Sequence, residues 1–347
     1  MQKQESLEQN FYTFLSSFFH LSAYDVQNFL KAALLKKIIS LSILLLLFGY
    51  LLFFPVSALE ASKNGLLLWF DTLLPTLLPF LILSQLILKT SAIQIFQKMF
   101  GNIFKNVFHC SPDGAFCALC GFLCGYPVGA RLLALQVKEH RISPSEGQYL
   151  LAFCNNVSPM FCISYGIITT IGAEKILPYL LLIYGSPFVF GLLTRPKTNP
   201  DSVFNVKKQT PSVENIFQLI DVCIIDSFLI MIKLCGYLIL FSILNQIILH
   251  LPIKKSSDFY GFISSVLELT NGLASIQTLP LGVKRTALAI FALSFGGLCC
   301  IFQTTSVLNE SGLSIKKYIL HKCLITGITL FFYFLWHFFY HAFNGWS

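Results

Sequence analysis

Charge is what this sequence has least of. Only 12% of its 347 residues are Asp, Glu, Lys or Arg, about half the usual share of a soluble domain. So few charges cannot coat a water-facing surface, which excludes an ordinary soluble globule. Also missing are a nucleophile–base motif, a Walker-type phosphate loop and a complete His/Cys ligand set. The expectation is therefore no enzyme, no catalytic residue, no metal and no cofactor. The net charge of +8 forms no basic stripe interleaved with aromatics, which argues against nucleic acid as a partner. The eleven cysteines are odd in number and follow no disulfide spacing. Cys117 and Cys120 form a lone C-x-x-C pair and read as small packing residues. An early cleavable leader is not expected either: the first apolar run begins near Ile38, after Lys31, Lys36 and Lys37, and reads as a retained helix.

What is present is apolar. Hydrophobic residues make up 55% of the chain and the mean hydropathy is +0.71. Runs such as Ile38–Leu59 and Ile319–Ala342 are long enough to cross a bilayer as helices. Lipid offers no partner for open backbone groups, so the spans must be helical. The expected fold is an all-α polytopic membrane protein.

The chain reads in order as follows. Residues 1–36 form a polar, aromatic arm that is cytoplasmic or lies along the membrane surface, and residues 37–64 hold the first span. Gly65–Leu88 is a second span, broken by Pro75 and Pro79, followed by a connector over 89–110. In Ser111–Val137, Gly121, Gly125, Pro127 and Gly129 cannot all sit comfortably in one straight helix, so a broken or re-entrant segment is expected. Ser143, Pro144 and Glu146 mark a helix start with reciprocal capping. That helix runs to about Gly172, with Asn155-Asn156-Val157-Ser158-Pro159 in its middle. Ile176–Leu193 crosses back and leads to a basic linker ending at residue 213. An amphipathic stretch Glu214–Phe228, a span Ile230–Leu251 and a connector over 252–283 follow. Arg285–Leu308 carries a second break at Gly296-Gly297, and Ser314 caps the last span.

Gly125 and Gly296 are 171 residues apart, as are Ser143 and Ser314. Residues 65–175 and 214–347 therefore read as two repeats, with one crossing and its loop (176–213) between them. An intervening single crossing makes the repeats inverted, each with a broken or re-entrant helix. With the N-terminus inside, Lys89, Lys98, Lys105, Arg131, Lys138, Arg141, Arg195, Lys207 and Lys208 face the cytoplasm. The same arrangement leaves Lys254, Lys255, Lys284, Arg285, Lys316 and Lys317 on the other side, against the positive-inside bias.

Four blocks carry a family resemblance: Gly125-Tyr126-Pro127-Val128-Gly129-Ala130-Arg131, Asn155-Asn156-Val157-Ser158-Pro159-Met160-Phe161, Glu268-Leu269-Thr270-Asn271-Gly272 and Ser294-Phe295-Gly296-Gly297-Leu298. In this order they resemble the YlbJ-type sporulation integral membrane proteins. The resemblance implies two nucleoside-recognition "Gate" repeats and a distant likeness to concentrative nucleoside transporters. It also implies movement of dipicolinate across the outer forespore membrane. Cys299-Cys300-Ile301-Phe302-Gln303 departs from the family pattern, where a Ser-Val-His-like run is expected.

Helix ends at membrane depth can face an anion through their free N–H groups. The expected cargo-lining residues are Gly121, Gly125, Tyr126, Gly129, Arg131, Asn155, Asn156, Ser158, Glu268, Thr270, Asn271, Gly296, Gly297 and Gln303. The expected function is a transporter or facilitator of a small organic anion, dipicolinate first. The alternatives are a nucleoside or related metabolite as cargo, and a non-transporting scaffold for spore assembly. Expected partners are the organic anion and the lipid bilayer of the cell or outer forespore membrane; a homo-oligomer is compatible with the sequence.

Overall fold

The computed structural model describes residues 38, 40–197, 216–250, 257–309 and 311–344, with side chains up to residue 339. The N-terminal arm, Lys207, Lys208, Lys254 and Lys255 lie outside the described residues. The chain divides into two compact units, one ending at Leu59 and one starting at Glu60. In the first, helix α1 (Ser40–Phe53) is apolar. The polar groups and packing contacts discussed below lie in the second.

The described residues contain helices and no strands. Five are long and apolar enough to cross a membrane, or six if one bent pair counts as a span. Charge and polarity are distributed inside out. Leu193, Phe217, Met160 and Phe338 are each more than 65% exposed, while Gln85, Gln136, Asn155, Asn156, Glu268, Gln303 and Lys322 are buried. Lipid-facing surfaces need no polar atoms, and polar atoms at membrane depth need protein around them. The chain is an integral, polytopic helical membrane protein.

Helix α2 (Pro55–Lys89) is continuous, so the breaks expected at Pro75 and Pro79 do not occur. A π-helical turn over Trp69–Leu73 precedes Pro75 and widens the ladder where proline would otherwise collide with it. The Thr76 hydroxyl donates to the Thr72 carbonyl at 2.6 Å. The connector expected over 89–110 is instead helix α3 (Ile93–Phe108), which meets α4 (Pro112–Cys124) at 91°.

Helices α4 and α5 (Val128–Lys138) form a hairpin whose apex is Gly125-Tyr126-Pro127. A Cβ on Gly129 would lie 2.7 Å from Gly121 Cα, so the two arms meet glycine to glycine. Helix α6 (Pro144–Cys154) ends at Asn155; after Ser158 the path resumes as α7 (Pro159–Phe161) and a π-helix over Cys162–Ile171. Together they make one interrupted span, Pro144–Ile171. Helix α8 (Leu177–Leu193) returns.

The second half opens with α9 (Ile216–His250), one 35-residue helix in place of an amphipathic stretch plus a separate span. The expected connector over 252–283 is a second hairpin, α10 (Ser257–Leu267) and α11 (Leu269–Gln277), with Glu268 alone at its apex. Gly272 packs onto Ser265 and Gly261 onto Ile276, the pairing of antiparallel arms. Helices α12 (Val283–Phe295) and α13 (Gly297–Leu308) make a second interrupted span, broken at Gly296. Helix α14 (Ile315–Asn344) follows.

The order long helix, hairpin, interrupted span and straight helix thus occurs twice, with α3 added between long helix and hairpin in the first half. The 171-residue offset aligns helix starts, Pro112 with Val283 and Pro144 with Ile315, but mismatches their roles. It sets a hairpin arm against a span. Matching roles instead pairs Tyr126 with Glu268 and the 155–158 gap with Gly296.

Two contacts fix which helix ends lie together. The Gln148 amide accepts from Ser314 N at 2.6 Å and donates to Ser314 O at 3.3 Å. Lys316 and Lys317 therefore share an end with Arg141 and Lys138, correcting the side expected for that pair. At the other end the Arg285 guanidinium donates to the carbonyls of Thr170, Leu279 and Thr169 at 2.6, 3.0 and 3.4 Å. Lys284 pairs with Asp258 at 3.5 Å. Both cations that strained the charge bias at this end have local partners.

Candidate functional site: a polar centre where four chain breaks meet

Each break has a local cause. Ser111, Ser143 and Ser158 are N-caps whose hydroxyls accept from Gly114, Glu146 and Phe161 N–H groups, and each is followed by proline at the first helical position. Glu146 does more than mark its helix start: its carboxylate accepts from Ser111 N at 2.6 Å and ties α6 to the start of α4. Gly125 ends α4 with φ +80°, and a Cβ there would stand 2.6 Å from Ser158 N. Both the angle and the space demand glycine. Gly296 ends α12 with φ +82°.

The breaks converge. The apex of the first hairpin hooks onto the first interruption through Tyr126 N donating to Asn156 O at 2.8 Å. The second interruption meets the same apex, since a Cβ on Gly296 would lie 2.6 Å from the Tyr126 hydroxyl. The second hairpin closes the group: a Cβ on Gly297 would lie 3.1 Å from Ser265 O and 3.3 Å from Glu268 Cα. Gly125, Tyr126, Asn155, Asn156, Ser158, Glu268, Gly296 and Gly297 are thereby brought to one centre.

Glu268 caps α11, its two oxygens accepting from Thr270 N at 2.9 Å and Asn271 N at 2.7 Å. Thr270 and Asn271 take part through their backbone, and the Asn271 amide turns away to Ser242 on α9 at 3.2 Å. Gly121 and Gly129 serve close packing; a Cβ on Gly121 would stand 2.6 Å from the Cys154 carbonyl. Gln303 is buried on α13 and donates to Cys299 Sγ at 3.2 Å. Arg131 is half-buried on α5, and among the described residues its Nε has no partner. Neither Gln303 nor Arg131 is hydrogen-bonded to the converging group.

The sequence reading missed the residue at the middle. Lys322, 1% exposed on α14, donates to Asn156 Oδ1 at 3.0 Å and to Ser294 O at 3.3 Å. Its Nζ stands 5.6 Å from the centroid of the Tyr126 ring. Among the described residues no carboxylate lies within ion-pair distance of it. Next to it Asn155 donates to Thr304 Oγ1 and to the Tyr318 hydroxyl, both at 3.0 Å, and the Tyr184 hydroxyl donates to Val157 O at 2.7 Å. The signal for Lys322 was available: a lysine well inside an apolar run is costly and usually functional.

Chemically, the centre combines one buried cation with two helix starts that lack a side-chain cap, those of α5 and α13. Such helix ends carry partial positive charge. The arrangement suits an anion or a strongly polar solute.

Comparison with known proteins follows the same line. The chain is similar to the sporulation integral membrane protein YlbJ of Bacillus subtilis (strain 168). The two are 23% identical over 78% of this chain and 75% of that protein. No family model and no solved structure matches.

Proposed function

We propose that this chain transports a small organic anion across a membrane of a sporulating cell, with dipicolinate the leading cargo and the outer forespore membrane the leading location. The observation that carries the proposal is the convergence of two hairpin apices and two interrupted spans on one buried polar centre. A scaffold gains nothing from opening four helices at membrane depth, where each freed backbone group is expensive. A cargo site does, because broken helices supply directed N–H groups and dipoles.

The two halves are, on this proposal, inverted Gate-type repeats. The Gln148–Ser314 contact supports this by joining the start of the first interrupted span to the loop after the second. The Arg285–Thr170 contact joins the end of the first to the start of the second. Spans so joined run in opposite directions, and their hairpins enter from opposite faces. The sporulation role draws on the similarity to the Bacillus subtilis protein.

The test is uptake of labelled dipicolinate into proteoliposomes containing the purified protein. Saturable uptake is expected, and Gly125→Leu should abolish it while the variant still inserts into membranes. Uptake of a nucleoside in place of dipicolinate would move the cargo to the nucleoside class. A folded, inserted wild type that takes up neither would leave the scaffold reading.

A further inference from the structure

Resting on the transport reading above, we infer that Lys322 is the group that receives the cargo's carboxylate, with the hydroxyls of Tyr126 and Ser294 as its accompanying donors. Three observations meet here. Lys322 is buried and has only neutral oxygen partners, Asn156 Oδ1 and Ser294 O. A lysine charge in a low-dielectric centre is costly without a counter-anion, and an incoming carboxylate supplies one. Second, the Tyr126 and Ser294 hydroxyls are buried; among the described residues Ser294 Oγ has no hydrogen-bond partner, and the Tyr126 hydroxyl faces no oxygen or nitrogen partner, only the weakly bonding thiol of Cys300. Buried hydroxyls are ordinarily satisfied, so both are donors in need of an acceptor. Third, these groups sit together: Lys322 bonds the backbone of Ser294 and lies beside the Tyr126 ring.

They also come from three different elements of the architecture. Tyr126 is on the apex of the first hairpin, Ser294 precedes the break in the second interrupted span, and Lys322 is on the straight helix α14. A carboxylate bound by all three would tie these elements to one another. The ligand class is a small carboxylate, and the neutral ester of the same acid lacks the group that is read.

The experiment is a thermal-shift titration of the purified full chain with dipicolinate, its dimethyl ester and uridine. The variants are Lys322→Met and, as a charge-retaining control, Lys322→Arg. Methionine matches the lysine stem without its charge and suits a buried membrane position, so that variant should fold. The expected result is that dipicolinate stabilises the wild type in a saturable way. Lys322→Met should weaken that response at least about tenfold, the worth of a charge-assisted hydrogen bond. Lys322→Arg should retain part of it, and the ester should act weakly and equally on wild type and Lys322→Met. Equal binding of dipicolinate by wild type and Lys322→Met overturns the inference, as does equal binding of acid and ester by the wild type. A wild type that responds to uridine and not to dipicolinate overturns the carboxylate assignment and leaves transport standing. A folded wild type that responds to none of the three and takes up none of them overturns both.

Discussion

The two halves follow one plan and are fastened differently. In the first, the hairpin is held at both ends. Its apex is hydrogen-bonded to the interrupted span through Tyr126 and Asn156. Its base is tied by Arg141, which reaches Asp113 at 3.3 Å and the Leu88 carbonyl at 3.2 Å, and by Gln97, which donates to Asp113 at 2.7 Å. In the second, the apex is sealed by its own residue, Glu268, folded onto the helix it starts. Near its base stands the Lys284–Asp258 pair, whose side chains are 85% and 42% exposed. Long-range polar ties concentrate on the first hairpin, while the second relies on packing, a local cap and one such tie, Asn271 to Ser242.

The sharpest break in this comparison is at the two glycines with nearly equal φ. Gly296→Ala incurs the left-handed backbone cost of about 1–2 kcal/mol, and Gly125, with ψ −177°, sits in a region kept almost wholly to glycine, at a cost of about 1–3 kcal/mol. At Gly125 the new Cβ also strikes backbone, Ser158 N at 2.6 Å, and backbone in the interrupted span cannot yield without disturbing the Tyr126–Asn156 bond. At Gly296 it meets the hydroxyl end of Tyr126, which a side-chain rotation can relieve. Thermal unfolding in one detergent should show Gly125→Ala losing more than about 3 kcal/mol, well beyond Gly296→Ala. Adding Tyr126→Phe should restore part of the Gly296→Ala loss and none of the Gly125→Ala loss. Equal losses at the two glycines would mean that the halves are not fastened differently at this level.

Glu268 comes next in size. Glu268→Ala removes both acceptors that cap α11, a cost of about 1–2 kcal/mol by the usual worth of a cap, and leaves two buried N–H groups open. Glu268→Gln keeps one acceptor and should recover about half of the loss. Hydrogen exchange would place the change: faster exchange at Thr270 and Asn271 is expected in Glu268→Ala, with the first hairpin unaffected. Loss of protection at Tyr126 would show that the second apex also supports the first.

These contrasts also explain what the sequence could and could not tell. The first hairpin was legible because Gly121, Gly125, Pro127 and Gly129 punctuate it, and the second interruption because Gly296-Gly297 does; the first interruption, expected as the middle of one helix, is instead marked by Ser158-Pro159, a Ser-Pro helix start like those at Ser111 and Ser143. The same dipeptide does not always start a helix. Ser186-Pro187 lies inside α8, where the Ser186 hydroxyl bonds the Leu182 carbonyl at 2.8 Å and the helix continues. The second hairpin stayed hidden because its arms are 11 and 9 residues long, too short to read as spans. Its apex is a single glutamate with neither glycine nor proline, and what folds it back, Gly272 on Ser265, is tertiary packing. Lys322 escaped because averaging hydropathy over a long helix dilutes one charge. The 171-residue spacing misled about register, since helix starts recur at that offset even where a hairpin arm faces a span.

The smallest effects belong to the two hairpin bases. Arg141 and Asp113 are each more than three-quarters buried by side chain, and Arg141 also satisfies the Leu88 carbonyl at the end of α2. Its replacement by alanine opens a partly desolvated carbonyl as well as an ion pair, so a loss of about 1 kcal/mol is expected. Lys284→Ala removes an exposed pair at 3.5 Å and should cost a few tenths of a kcal/mol, a loss that vanishes in high salt. Limited proteolysis in matched detergent offers a second reading. Arg141→Ala should make the chain around residues 109–112 more susceptible, whereas Lys284→Ala should leave the pattern of cuts unchanged. If the two variants behave alike, the polar ties at the base of the first hairpin are surface decoration, and the asymmetry between the halves rests on the apices alone.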